Sequence, residues 1–219
     1  MDFRLTDEQR MFRESVYRFA KEEIAPLCEE ADLNGEFSFE VWKKFSEMGL
    51  LGLPFAEELG GSGADIVSCC LAGEALGHAG VDGGHMLALG AHTYLCAATL
   101  NHFATPEQKK KYIPKLASGE WIGCMGLTEP GCGSDAGALA TTAVKKGDKY
   151  ILNGSKTFIT NAPLADVFVI FATLDKAKKH KGITAFIVER NYPGISTGNP
   201  MHKMGCKCST TSEVYLEDC

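Results

Sequence analysis

The chain has 219 residues, of which 45% are apolar, 9% aromatic and 23% charged. That composition excludes collagenous, low-complexity and wholly disordered chains, and the length leaves room for one or two domains with real cores. Lys and Arg number 22 against 28 Asp and Glu, a net charge of −6, and the missing basic excess argues against a nucleic-acid binder. Residues 1–120 hold 11 basic and 19 acidic side chains, whereas residues 121–219 hold 11 and 9. The second part is the better host for an anionic ligand.

The amino terminus, Met1-Asp2-Phe3-Arg4, is charged and leads into no apolar run, so no secretory signal is expected. Thr6 with Gln9 forms a capping box ahead of Phe12, Val16, Phe19, Ala20 and Ile24, a stripe at helical spacing. Ser38 caps a second helix carrying Val41, Phe45 and Met48, with Gly49 placed to end it. After Gly60-Gly61-Ser62-Gly63, Asp65 caps a helix of small residues running to about Gly77. Gly83 to Pro106 contains no Asp, Glu, Lys or Arg, but it holds His85, His92, Asn101 and His102. A buried helix is expected there rather than a membrane span. Thr105-Pro106-Glu107-Gln108 opens a fifth helix, with a Thr cap, Pro at the first position and Gln closing the box.

After Trp121 the period changes from 3.6 to 2. Strands are expected at Ala140–Lys145, Tyr150–Leu152, Lys156–Thr160, Val167–Leu174, Ile183–Glu189 and Glu213–Leu216, the first two flanking Lys146-Gly147-Asp148, with Asn153-Gly154 as a hairpin turn before the third. The expectation is an α+β multidomain chain: an all-α domain over residues 1–119, then a small antiparallel β-barrel or sandwich over residues 120–219. The nine cysteines are scattered and form no C-x-x-C, so reduced thiols are expected. His202, Cys206, Cys208 and Cys219 lack the usual zinc spacing, and no metal site is expected. His78, His85 and His92 fall seven apart and read as buried or capping residues.

Chemistry concentrates in two stretches. Met125-Gly126-Leu127-Thr128-Glu129-Pro130-Gly131-Cys132-Gly133-Ser134 is a strand end running into a glycine-bearing loop. Its backbone can approach a phosphate or a flat ring, although an ordinary turn has the same composition. Phe158-Ile159-Thr160-Asn161 ends a strand, and alternation places Phe158 and Thr160 on one face, an aromatic plate beside a hydroxyl. A core Phe beside a Thr is the plainer reading.

Taken together, Thr128–Asp135 and Asn153–Asn161 closely resemble the acyl-CoA dehydrogenase family. Residues 105–120, 182–189 and 203–218 agree, in the family's order. The resemblance implies a helical amino-terminal domain and a middle β-domain that binds flavin and acyl-CoA. The family's carboxy-terminal four-helix domain has no counterpart within these residues. It implies that Met125 to Ser134 is the first FAD segment, with Leu127 and Thr128 beside the pyrimidine end and Ser134 meeting both the pyrophosphate and the acyl-CoA. Phe158, Ile159 and Thr160 would be the second, with the Thr160 hydroxyl aimed at flavin N5. The implied reaction is α,β-dehydrogenation of an acyl-CoA thioester, hydride passing to the flavin and electrons to electron-transfer flavoprotein.

The family's glutamate base is expected beyond residue 219, and Glu129 does not correspond to it. A homotetramer or dimer is implied for the whole protein, in a bacterial cytoplasm or, after loss of a transit peptide, a mitochondrial matrix. Cys132 stands where a small residue is usual, Lys207 where Arg is frequent, and Phe158 where Trp is common. Lys176, Lys178, Lys179 and Lys181 form a solvated hairpin tip or meet the 3′-phosphate of CoA. Two further readings stand beside the dehydrogenase: a flavin- or acyl-CoA-binding module without catalysis, and a flavin oxidase or monooxygenase of the same superfamily.

Overall fold

The computed structural model describes residues 4–219, so the charged stretch Met1-Asp2-Phe3 lies outside the described residues. Helix α1 (Asp7–Phe19) starts at the expected Thr6–Gln9 capping box. It buries Val16 and, one turn on, Ala20 and Ile24 against the other helices. The sequence stripe stops at Ile24, but the helix does not. A π-helical stretch, Ala20–Ile24, carries it into α2 (Ala25–Asn34), which ends at Gly35 in the left-handed conformation (φ 70°). Pro26 has no N–H to donate, and the widened turn, in which the Ala25 N–H reaches the Ala20 carbonyl, accommodates it.

Ser38 caps α3 (Phe39–Glu47) and Asp65 caps α4 (Ile66–Ala79) through their side chains. The uncharged segment is helical throughout: α5 (Gly83–Leu89), a π-helical stretch (Gly90–Ala97) and α6 (Ala98–Phe103). Among the described residues no helix is long and apolar enough to cross a membrane. The Thr105–Gln108 box opens α7 (Pro106–Ala117) as expected.

Seven strands follow: β1 (Gly123–Gly126), β2 (Thr142–Lys146), β3 (Lys149–Thr160), β4 (Val167–Thr173), β5 (Ile183–Glu189), β6 (Ile195–Thr197) and β7 (Thr211–Leu216). They form one curled sheet in the order β1-β4-β2-β3-β7-β6, with β5 along the opposite edge of β4. The expected antiparallel pairing holds for most neighbours, but β1 and β2 both pair with β4 in parallel, so the sheet is mixed. The long excursion from β1 through β2 and β3 to β4 supplies the crossover that a parallel pair needs.

Asn153-Gly154 is not a turn. It lies inside the twelve-residue β3, where that strand leaves β2 and takes β7 as partner. A Cβ on Gly154 would stand 2.5 Å from Thr141 Oγ1, so the glycine serves a close backbone approach rather than a reversal. The turn falls at Gly147, which has φ 65°.

One core lies among the helices and a second behind the sheet. A third cluster joins them, packing Cys96, Leu100, Ile113 and Leu116 onto Val167 and Val169 of β4. Polar bonds follow the same seam. Buried His92 holds the Leu116 carbonyl through Nε2 at 2.9 Å and accepts the Gly123 N–H on Nδ1 at 3.0 Å. Glu189 receives Lys111 Nζ at 2.6 Å and Tyr112 Oη at 2.7 Å.

Candidate functional site

β1 delivers the chain to the loop Leu127–Ser134, which closes as a tight hairpin. Glu129 and Cys132 exchange backbone hydrogen bonds of 2.9 and 3.0 Å across Pro130-Gly131. Cys132 is buried, and its thiol donates to the Asp135 carbonyl at 2.8 Å. It therefore ties the loop's far end, a bond that the alanine-like role expected for it would not supply.

Gly131 and Gly133 are exposed, neither has a left-handed φ, and a Cβ on either would meet nothing within 4 Å. Nothing inside the chain demands glycine at these positions. Ser134 is exposed at the loop's end, while Met125, Leu127 and Thr128 are half-buried.

The second segment reaches the site through a β-bulge. Pairing of β3 with β7 shifts between Lys156 and Ile159, and Phe158 adopts φ 59°. Simple alternation therefore does not set this geometry. Ile159 is buried in the second core, while Phe158 is 68% exposed and Thr160 half-buried on either side of it. A large aromatic held in a left-handed conformation and left exposed is costly, with no return from packing within the chain.

The two segments are clipped together. The Thr157 N–H donates to the Thr128 carbonyl at 2.9 Å. Beneath it, Lys156 Nζ donates to Glu129 Oε1 at 2.7 Å and to the Leu127 carbonyl at 3.3 Å, with both charged side chains buried. The backbone N–H groups of Ala140 and Thr141 complete the Glu129 carboxylate at 2.5 and 2.9 Å. Burial pushes the Glu129 carboxyl up, but the hydrogen bonds from Lys156, Thr141 and Ala140 outweigh it and hold it below the ordinary carboxylate value. Burial pulls Lys156 down from its ordinary value, with Glu129 opposing.

Asn161, buried and left-handed (φ 68°), fixes the end of the segment. Its Nδ2 donates to the Ala88 carbonyl at 2.9 Å and to the Gly123 carbonyl at 3.3 Å. Sequence reasoning assigned no role to Lys156 or Asn161. The available signal was a lysine at an inward position of a strand and an asparagine directly after it.

Beyond Ser134 the loop forms one wall of a cleft of about 640 Å³, lined by residues 134–140, Thr173, Lys176, Lys179 and His180. Two members of the lysine cluster thus face Ser134 across an open cleft. His202, Cys206, Cys208 and Cys219 do not assemble as a group among the described residues. Cys219 pairs its backbone with Leu152 and packs on the second core.

The chain thus combines a helical unit, a curled mixed sheet and a glycine-bearing loop clipped to a strand bulge. The family model for the acyl-CoA dehydrogenase N-terminal domain matches residues 6–120, and that for the middle domain matches residues 124–219. The chain belongs to the acyl-CoA dehydrogenase family. It is 47% identical over 218 residues to the short-chain-specific acyl-CoA dehydrogenase of Clostridium acetobutylicum, covering 100% of this chain and 57% of that one. It also superimposes on butyryl-CoA dehydrogenase from Megasphaera elsdenii, with a TM-score of 0.92, 40% identity and coverage of 100% and 57%. PigA with FAD and proline gives a TM-score of 0.96 at 36% identity, with the same coverages. The chain spans about 57% of the length of these relatives.

Proposed function

We propose that residues 1–219 form the helical and middle portions, 1–119 and 120–219, of an FAD-dependent acyl-CoA dehydrogenase. The observation that carries the proposal is the pair of exposed glycines, Gly131 and Gly133, whose identity nothing within the chain requires, clipped beside the exposed Phe158. A cradle for a pyrophosphate next to a plate for a flat ring accounts for both.

Met125 to Ser134 and Phe158 to Thr160 would hold FAD, which when bound supplies the hydride-accepting chemistry. Phe158 offers an apolar plate, Thr160 a hydroxyl donor beside it, and the loop a backbone free of side-chain obstruction. Ser134 stands where cofactor and acyl-CoA would meet. Lys176 and Lys179 give the cleft, which His180 also lines, a cationic wall suited to the phosphates of a CoA nucleotide. Glu129 is not the base for proton abstraction, because Lys156 and two backbone donors already occupy its carboxylate. The base, and most of the acyl pocket, lie outside these residues in this reading. Electron-transfer flavoprotein as oxidant, a dimeric or tetrameric assembly, a role in fatty acid metabolism and a cytoplasmic or matrix location belong to the same proposal.

The superfamily oxidase reading is favoured by the likeness to PigA with FAD and proline, since the same fold there holds a different small molecule. FAD titration of the purified chain, followed by dye-coupled assays with acyl-CoA thioesters, tests the proposal. The expected result is FAD binding with no dehydrogenation by residues 1–219 alone. Failure to bind FAD under any condition overturns the cradle, and robust turnover would mean that a base among these residues has been missed.

A further inference from the structure

The loop before β7 folds back on itself around a cation. The Met201 N–H donates to the Thr211 carbonyl at 2.7 Å, and the Ser209 N–H donates to the Cys206 carbonyl at 3.2 Å. Between them lies half-buried Lys203, whose Nζ donates to the Ser209 carbonyl and, at 3.4 Å, to Thr211 Oγ1. Among the described residues no carboxylate lies within 4 Å of that nitrogen. Thr211 is buried and stands opposite Thr160 in the register of β3 with β7, so the two side chains share one face of the sheet. The ammonium is therefore roughly 10 Å or less from Thr160 Cβ, close enough for a partly buried charge to act there.

We propose that Lys203, held through Thr211, is a positioning residue that places positive charge behind Thr160 and so makes the site prefer reduced over oxidised flavin. The proposal rests on the reading of Phe158 to Thr160 as an FAD segment.

Two lysines lie beneath this part of the sheet, and they differ in what surrounds them. The charge of Lys156 is cancelled on the spot by Glu129 at 2.7 Å. Lys203 is held by neutral oxygens instead. Both oxygens are acceptors, which favours the ammonium over the neutral amine. Burial lowers Lys203 from its ordinary value, and the negative charge of Asp32 opposes that effect. A loop that needed only a staple could use a neutral donor and avoid partly desolvating a charge without a counter-ion.

A cation kept in this position suits a site where negative charge arrives. Hydride delivery beside Thr160 would bring one unit of negative charge, and a fixed cation stabilises that state more than the neutral state before it. Lys203 itself gives up and takes up no proton in the transfer. Its effect falls on the balance between the two redox forms, which is the quantity to measure.

The test is the midpoint potential of FAD bound to the purified chain, determined by reduction against a reference dye. Lys203→Met should weaken the preference for reduced over oxidised FAD tenfold or more, a fall of about 30 mV or more for a two-electron couple. Lys203→Arg keeps the charge and should recover most of that fall. Lys43→Met, which removes an exposed lysine on α3, should leave the potential unchanged. A purely structural staple would weaken both redox forms alike and leave the potential where it was. Circular dichroism establishes that the variants are folded. Should Lys203→Met not fold, Lys203→Gln, which retains a neutral donor for the two oxygens, is read in the same way. A parent chain that binds no FAD overturns the FAD reading and this inference with it. FAD bound at an unchanged potential in the folded neutral variant, or at an equally lowered potential in Lys203→Arg, overturns this inference alone.

Discussion

Replacing Lys156 by methionine removes the cation beneath the joined Leu127–Ser134 loop and Phe158 bulge while keeping most of the apolar stem. The Glu129 carboxylate would stay buried with only the Ala140 and Thr141 N–H groups as partners, and the Leu127 carbonyl would lose a donor. Removing one member of a buried pair typically costs about 3–5 kcal/mol. The two surviving N–H bonds place this case near the lower end, about 3 kcal/mol. For a chain of this length that corresponds to a fall in Tm of roughly 6–12 °C. The double variant Glu129→Gln/Lys156→Met should recover part of the loss, because the neutral amide needs no counter-charge, although its single oxygen replaces the two that accept the Thr141 and Ala140 N–H groups. Thermal and urea unfolding of the single and double variants give the coupling directly. FAD titration should show weaker binding in the single variant, since the loop and the bulge would no longer be held in register. A single variant within 0.5 kcal/mol of the parent, or a double variant losing the sum of both single effects, would refute the clip.

Buried His92 is held at about 4, below its ordinary 6.5, because burial disfavours its charged form more than the Leu116 carbonyl favours it. Between those values the unfolded chain takes up a proton that the folded chain does not. Stability should therefore fall by about 3 kcal/mol as pH drops from 6.5 to 4, and urea midpoints across that range measure it. Gly133→Val should retain the circular dichroism spectrum, because the position is exposed and a Cβ there would meet no protein atom within 4 Å, but should lose FAD. Flavin content equal to that of the parent would remove the cradle from the loop.

The helical unit was legible in the sequence wherever a polar cap announced it. Thr6, Ser38, Asp65 and Thr105 all cap as their spacing predicts, since capping is decided within four residues. The π-helical passage through Ala20–Ile24 was not legible, because Pro26 reads as a stop unless neighbouring helices make continuation worthwhile. In the sheet, Asn153-Gly154 carries a strong local turn preference that a long-range event overrides, the exchange of β2 for β7. The two site segments were visible as motifs, but the groups that join them were not. Lys156 and Asn161 act through residues distant in sequence, Glu129, Ala88 and Gly123, and no local pattern encodes such partners.

The parallel pairing of β1 with β4 bears on how the chain is made. On the ribosome, β1 emerges while its hydrogen-bonding neighbour is still unwritten, since Gly123 pairs with Val167. The helix through Cys96 is already complete by then and packs closely on Gly123, so one face of the nascent strand has shelter at once. Its unpaired edge has none until β4 arrives, and β4 is also the partner of β5. Synthesis paused between β3 and β4 would leave a bare apolar edge open to a neighbouring chain. Slow codons or a ribosome-bound chaperone would have their largest influence on yield in that interval.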